Sequence, residues 1–287
     1  MDSRDRAPHV EVLTAGIDWY TATMLLEYTD AYRWQRVALS ELEYVAAQGY
    51  DIKERHMLGY YGHSAGNCFV GAREADIMAQ FTGFHADHAF RRLRDDNAHI
   101  SRLDLQVTAK FRIMPLDVAT KGYDDAITAN NRLPAHRRRK IYIISGSDGG
   151  DTLYVGSPAS SQRCRIYNKE VQSEDVLFAK TWRYEVVLRN EHATSCATAI
   201  SRSEDTIEET TKAIVHKWCE SRGITPLFDA GRSMATLPPI RTLPTDTERQ
   251  LRWLREQVRP TIRRLTEQGY GDMLLELLGF PGEVRGG

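Results

Sequence analysis

The sequence predicts an α+β protein with a largely antiparallel curved sheet, flanking helices and a small C-terminal helical module. Three observations carry that class. Short segments alternating apolar and polar side chains dominate the first two-thirds of the chain. Strands, a helix and further strands follow one another in two similar rounds. From residue 193 onward the periodicity turns helical.

The composition is that of a folded soluble protein: 287 residues, 41% hydrophobic, 27% charged and 9% aromatic. No apolar run approaches the roughly 20 residues of a membrane helix, which argues against membrane partners. Residues 1–9 are charged and lack an apolar core, so neither a signal peptide nor an anchor is expected there. With 38 basic and 39 acidic residues the formal charge is -1. That balance excludes a histone-like basic coat, while local patches remain free to contact phosphates. Cys68, Cys164, Cys196 and Cys219 are widely spaced with no Cys-x-x-Cys pair. They fit reduced thiols and a cytoplasmic location.

In chain order, residues 10–24 read as a strand bent at Gly16, and 31–48 as an amphipathic helix stopped by Gly49. Strands follow at 55–61, 67–72 and 77–83, parted by glycine turns. A helix suits 86–98, a long strand 100–111, and a proline-started helix 115–130. The second round of strands covers 140–145, 152–156, 163–169 and 181–189, before the helical stretch 193–223. This gives an α+β domain over 1–223, a proline-containing linker over 224–245, and a helical module over 246–287. In the module, Leu251, Leu254, Val258, Ile262 and Leu265 recur at helical spacing beside Arg249, Arg252, Arg255, Arg259 and Arg263. The arginines fit either a partner-facing stripe or a solvated face paired with Glu248 and Glu256.

Three strands carry unusual polar faces, since side chains alternate along a strand. One face holds Arg102, Asp104, Gln106 and Thr108, a second Arg163, Arg165, Tyr167 and Lys169, and a third Arg183, Glu185 and Arg189. In a shared sheet these faces would converge. Cations around a tyrosine would lower its pKa and favour a phenolate nucleophile. Carboxylates suit Mg²⁺ or Mn²⁺, and arginines suit a phosphate. Together they point to phosphodiester transesterification, although a solvent-exposed sheet face would also be polar.

The order Gly16-Ile17-Asp18-Trp19, Arg102-Leu103-Asp104, Thr152-Leu153-Tyr154-Val155-Gly156-Ser157, Arg165-Ile166-Tyr167-Asn168-Lys169 and Trp182-Arg183-Tyr184-Glu185 resembles the replication initiation factor (Rep_trans) family. That family comprises rolling-circle initiators and related relaxases. The resemblance spans residues 16–189, and 253–278 looks like the family's C-terminal segment. It implies a nicking-joining enzyme that forms a 5′-phosphotyrosyl link through Tyr167 at a DNA origin. Arg165 and Lys169 would steady phosphate and phenolate. Asp104 and Glu185 would hold Mg²⁺ or Mn²⁺, with Glu170 as third ligand and Asp18 in reserve. Many relatives carry an acidic residue where this chain has Gln172; Glu170 or Glu174 would replace it. Arg102, Arg163 and Arg183 would contact DNA, duplex or single-stranded at the nick. A host helicase and a homodimer are further partners of that reading. Its alternatives are a non-catalytic origin-binding or regulatory protein, and a metal-dependent phosphodiesterase using water.

Arg137-Arg138-Arg139-Lys140 is the densest basic run, suited equally to DNA phosphates and to a solvated loop. His85 and His88 fit a surface or helix-start pair better than a metal site. Trp19 fits the core, whereas one of Tyr60 and Tyr61 is expected to face outward and stack on bases. The glycines at 59, 62, 66 and 71 lack the lysine and spacing of a phosphate loop.

Overall fold

The alternating segments build one antiparallel sheet of ten strands, because each can bury its apolar side only by pairing with neighbours that do the same. The structure, a computed structural model, describes residues 10–115, 117–146, 150–173, 175–237, 254 and 258–277. The strands are β1 (Val10–Leu25), β2 (Ile52–Met57), β3 (Tyr60–Ala65), β4 (Cys68–Ala72), β5 (Asp76–Thr82), β6 (His99–Phe111), β7 (Ile141–Ile144), β8 (Thr152–Val155), β9 (Gln162–Asn168) and β10 (Thr181–Arg189). Their order in the sheet is β2-β3-β4-β5-β1-β6-β10-β9-β8-β7, which makes the sequence-distant pair β1 and β6 central.

Helices α1 (Ala31–Ala46), α2 (Phe84–Leu93), α3 (Val118–Asn131), α5 (Glu191–Arg202) and α6 (Ile207–Glu220) lie between or after the strands, with a short α4 (Lys169–Gln172) directly behind β9. α2 and α6 pack on β1, α5 on β6, and α3 on β7 and β8. Leu103, Leu105 and Val107 of β6, Tyr184, Val186 and Leu188 of β10, and Cys164 and Ile166 of β9 are buried in the core with Ile214, Val215 and Trp218 of α6. Each such side chain contributes about 1.5–3 kcal/mol on burial. All four cysteines are free and buried.

Several boundaries differ from the sequence reading. The strand expected at 55–61 is two strands, because Leu58 (φ 53°) and Gly59 (φ 85°) form a two-residue hairpin turn pairing Met57 with Tyr60. The helix expected over 86–98 ends at Leu93, where Arg94 is extended and the Asp95 carboxylate accepts the Asn97 N–H at 2.8 Å. Lys169 is not on β9: Asn168 caps α4 by accepting the Glu170 N–H at 3.0 Å, so the strand stops before the lysine. The bend expected at Gly16 is flanked by register shifts at Val12/Thr14 and Ile17/Trp19. Asp18 is the unmatched residue of the second bulge, which re-aims its side chain.

The chain divides into two compact units, Met1–Pro238 and Pro239–Gly287. The first unit therefore runs past residue 223. Ile224 and Phe228 are buried, the Leu227 N–H donates to the Tyr184 hydroxyl at 3.3 Å, and the Phe228 ring stands edge-on to Tyr184. In the second unit, α7 (Arg259–Glu267) and α8 (Gly271–Leu277) are helical. Arg263 pairs with Glu267 at 3.0 Å on an exposed face. Arg249, Arg252, Arg255, Leu251, Glu248, Glu256 and the prolines at 238, 239 and 244 lie outside the described residues.

Gly156 ends β8 at φ 101°, and an added Cβ would stand 2.8 Å from the Gln162 carbonyl oxygen. Gly156→Ala is expected to destabilise the protein by more than about 1 kcal/mol. A urea midpoint equal to that of the unsubstituted protein would refute this.

Candidate active site

Strand registers place the polar side chains in transverse rows on the face opposite the helical core. Residues directly opposite in an antiparallel pair share a face. One row runs Tyr142, Tyr154, Arg165, Glu185 and Gln106 across β7, β8, β9, β10 and β6. The next runs Thr152, Tyr167, Arg183 and Thr108. A third places Arg163, Val187, Asp104 and Trp19 side by side. The three polar faces expected from the sequence thus lie on adjoining strands of one sheet.

At the centre, the Tyr167 hydroxyl donates to Glu185 Oε2 at 3.3 Å, and Arg165 Nη2 forms a short ion pair with Glu185 Oε1. Glu185 and Tyr167 are both buried. Arg183 Nε donates to Thr108 Oγ1 at 3.0 Å, and its Nη1 reaches Asp18 Oδ1 at 3.4 Å. Arg102 grips Asp104 through two bonds, Nε to Oδ1 at 2.9 Å and Nη2 to Oδ2 at 2.6 Å. The Arg102 guanidinium also lies over the Trp19 indole at 3.8 Å. Trp19 therefore serves this polar face as a platform, whereas the sequence suggested core packing. Arg165 Nε is buried and has no hydrogen-bond partner.

Burial acts on all these groups. It raises the Tyr167 phenol above its ordinary range, and the Glu185 charge raises it further, outweighing Arg183 and Arg165. The expected phenolate is therefore not the resting state. The cations are already committed to carboxylates, so their field on the tyrosine is largely cancelled. Burial pushes Lys169 down, helped by Arg183. It pushes Asp18 up against the opposing pull of Arg183. Asp104 is raised to about 6, burial outweighing Arg102.

The folded Asp104 carboxyl holds its proton up to about 6, whereas the ordinary value is 3.8. Its contribution to stability is thus full below the ordinary value and is lost as pH rises through the folded one. Asp104→Asn is expected to flatten the pH dependence of stability in that window. Urea midpoints falling equally with pH in both proteins would contradict this.

The other expected residues are less closely drawn in. Glu170 does not join Asp104 and Glu185: its Oε2 accepts the Lys180 N–H at 3.1 Å, just before β10 begins. Asp104 pairs with Val187 at the far end of that strand, roughly 20 Å away along the backbone. Glu174 lies outside the described residues. Arg163 donates to the Tyr142 hydroxyl at 3.0 Å and stacks over Tyr154 at 4.3 Å. Arg137, Arg138 and Arg139 are exposed beside the site's outer edge, though Arg138 donates to the carbonyls of Leu133 and Asn131. His85 packs on Phe84, and His88 pairs with Glu41 at 2.6 Å, both away from this face. Tyr60 is buried, while Tyr61 faces outward and stacks on His56. Tyr142 was overlooked in the sequence, although the alternation rule applied to β7 would have found it.

The donor set is all oxygen, which suits Mg²⁺ or Mn²⁺. The arrangement does not fit a metal as it stands. Both oxygens of Asp104 are held by Arg102, and both of Glu185 by Arg165 and Tyr167. Among the described residues no three His, Cys, Asp or Glu side chains are grouped to hold an ion. No described helix is long and apolar enough to cross a membrane.

No curated protein matches the chain. A solved structure described as a rolling circle replication initiator protein from Geobacillus stearothermophilus aligns over 82% of this chain and 91% of its own. At 17% identity and a TM-score of 0.48, that likeness is too remote to bear on function. The family model for the replication initiation factor, Rep_trans, matches residues 98–278, a span that contains β6, β9 and β10 with Asp104, Tyr167 and Glu185. The chain belongs to the replication initiation factor family.

Proposed function

We propose that this protein initiates rolling-circle replication by nicking and rejoining one strand of an origin, with Tyr167 as the nucleophile. The observation that carries the reading is the Tyr167 hydroxyl aimed at Glu185 and flanked by Arg165 and Arg183 inside the family-matched region. Tyr167 Oη attacks the scissile phosphorus while its proton passes to Glu185. The bond from phosphorus to the 3′ oxygen breaks, and Glu185 hands the proton to that oxygen. A 5′-phosphotyrosine and a free 3′-hydroxyl result. Rejoining is the same path reversed.

A protonated tyrosine needs a base within hydrogen-bond reach, and Glu185 meets that requirement. Arg165, whose side chain is partly exposed beside the phenol, and Arg183 are the guanidinium groups nearest to a phosphate held at Tyr167, where charge builds in the transition state. Lys169, two residues after Tyr167, lies over the Phe178 ring at 5.4 Å at this end of the site. Arg102 of β6 and Arg163 of β9 add further guanidinium groups to the same face. No step is assigned to Mg²⁺ or Mn²⁺, because the carboxylates are occupied by guanidinium groups. The same reading proposes a cytoplasmic setting, with a host helicase and a second copy of the chain as further partners.

The test is a denaturing gel with labelled origin DNA of the protein's own element. A protease-sensitive covalent adduct is expected. Nicking without an adduct would point to a water-using phosphodiesterase. Tight binding without cleavage would point to a non-catalytic origin binder. Either result overturns the proposal.

A further inference from the structure

Beside the nucleophile, the outer strands carry a stack that the proposed chemistry does not use. Tyr142 of β7 and Tyr154 of β8 are directly opposite one another, with ring centroids 4.9 Å apart and planes inclined by 19°. The Arg163 guanidinium lies 4.3 Å from the Tyr154 ring and donates to the Tyr142 hydroxyl at 3.0 Å, and the Lys140 ammonium lies 5.4 Å from the Tyr142 ring. Each phenol ring thus has a cation close to it. Tyr154 is also opposite Arg165, and Thr152, on the same strand, is opposite Tyr167. The stack therefore shares its face with the site and begins one strand away from it.

A core role does not account for these residues. Neither tyrosine belongs to the buried core, and Lys140 is exposed. On the other face of the same two strands, Leu153 is buried in the core and Ile143 packs partly against it. β7 is the outermost strand, preceded at once by the exposed residues Arg137, Arg138 and Arg139. A pair of half-buried phenols edged by cations and continuous with a phosphate-directed site has the chemistry of a single-stranded nucleic acid track. Bases stack on the rings while the cations follow the phosphates.

We propose that Lys140, Tyr142, Tyr154 and Arg163 bind the single-stranded DNA next to the nick, outward from Tyr167 toward β7. The inference rests on the nicking reading for its position and names the substrate form that the same surface holds. Lys140 reaches the Tyr142 ring with a flexible exposed chain. A base takes its place on Tyr142, and the displaced ammonium turns to the neighbouring phosphate. Arg163 is fixed by its bond to the Tyr142 hydroxyl, so it keeps both rings in register.

The experiment measures fluorescence anisotropy of a labelled oligo(dT) strand of about 12 nucleotides and of a duplex of equal length. It is run in the Tyr167→Phe background, where no cleavage intervenes. Tyr142→Ala is expected to weaken single-strand binding by about 5- to 100-fold and leave the duplex unchanged. Tyr142→Trp is expected to restore it. Lys140→Gln, an exposed substitution that spares the sheet, is expected to lower the salt slope of single-strand binding by about 1. Unchanged single-strand affinity in Tyr142→Ala, or equal loss on both probes, would overturn the track. Failure of the covalent adduct assay would sink the nicking reading alone, because these binding measurements need no reaction.

Discussion

Tyr167→Phe is expected to abolish the covalent protein–DNA adduct while leaving duplex origin binding within about twofold of the unsubstituted protein. The substitution removes one oxygen and one hydrogen bond, to Glu185 Oε2. The ring itself is buried on β9 and stays in place. The loss of that bond to a buried carboxylate costs about 1.5–3 kcal/mol, so a urea midpoint measured beside the adduct separates chemistry from stability. Protease-sensitive adduct of normal intensity from this variant would remove Tyr167 from the mechanism.

Glu185→Gln tests the proton acceptor and carries the second large effect. An amide of the same shape still accepts from the phenol but takes no proton, so nicking should fall by about 10²–10⁴-fold. Arg165 would lose its charge partner on the sheet face, and because its own side chain is partly exposed the cost is below the roughly 3–5 kcal/mol of a fully buried pair. Stability and rate should therefore fall together. A separate measurement distinguishes them: the pH dependence of nicking. Raising pH toward the phenol's own titration should recover part of the lost rate, since hydroxide then does what the carboxylate no longer does. A variant whose rate stays flat with pH would deny Glu185 that role.

Much of this arrangement was legible in the sequence because strand alternation needs only local order. Asp104, Gln106 and Thr108 were assigned to one face by spacing alone, and the sheet keeps them there. What alternation cannot reveal is which strands are neighbours. That β6 stands beside both β1 and β10 depends on long-range pairing. The consequences for charge were equally hidden. Arg165 reads as a free cation able to lower the phenol's pKa, yet it is spent on Glu185 one strand away, as Arg102, read as a DNA contact, is spent on Asp104 two residues away. Turn chemistry decided the remaining misreadings. Leu58 adopts a left-handed backbone that its residue type does not advertise, and Asn168 caps a helix one residue before the end of what reads as a strand. Asp18 reaches Arg183 because a bulge turns it, and bulges leave no mark in periodicity.

The sheet order also bears on the birth of the protein. β1 is made first and β10 last of the strands, yet β6 lies between them in space. A nascent chain released only as far as β9 already contains Tyr167, with no carboxylate to take its proton and no Arg183 beside it. At about 5–20 residues per second, synthesis reaches Glu185 on the order of ten seconds or more after it begins. Pairing across such sequence distances is slow, since the loops must close before the contacts form. On the nicking proposal, Tyr167 therefore gains its proton acceptor only once the final strand of the sheet is laid down.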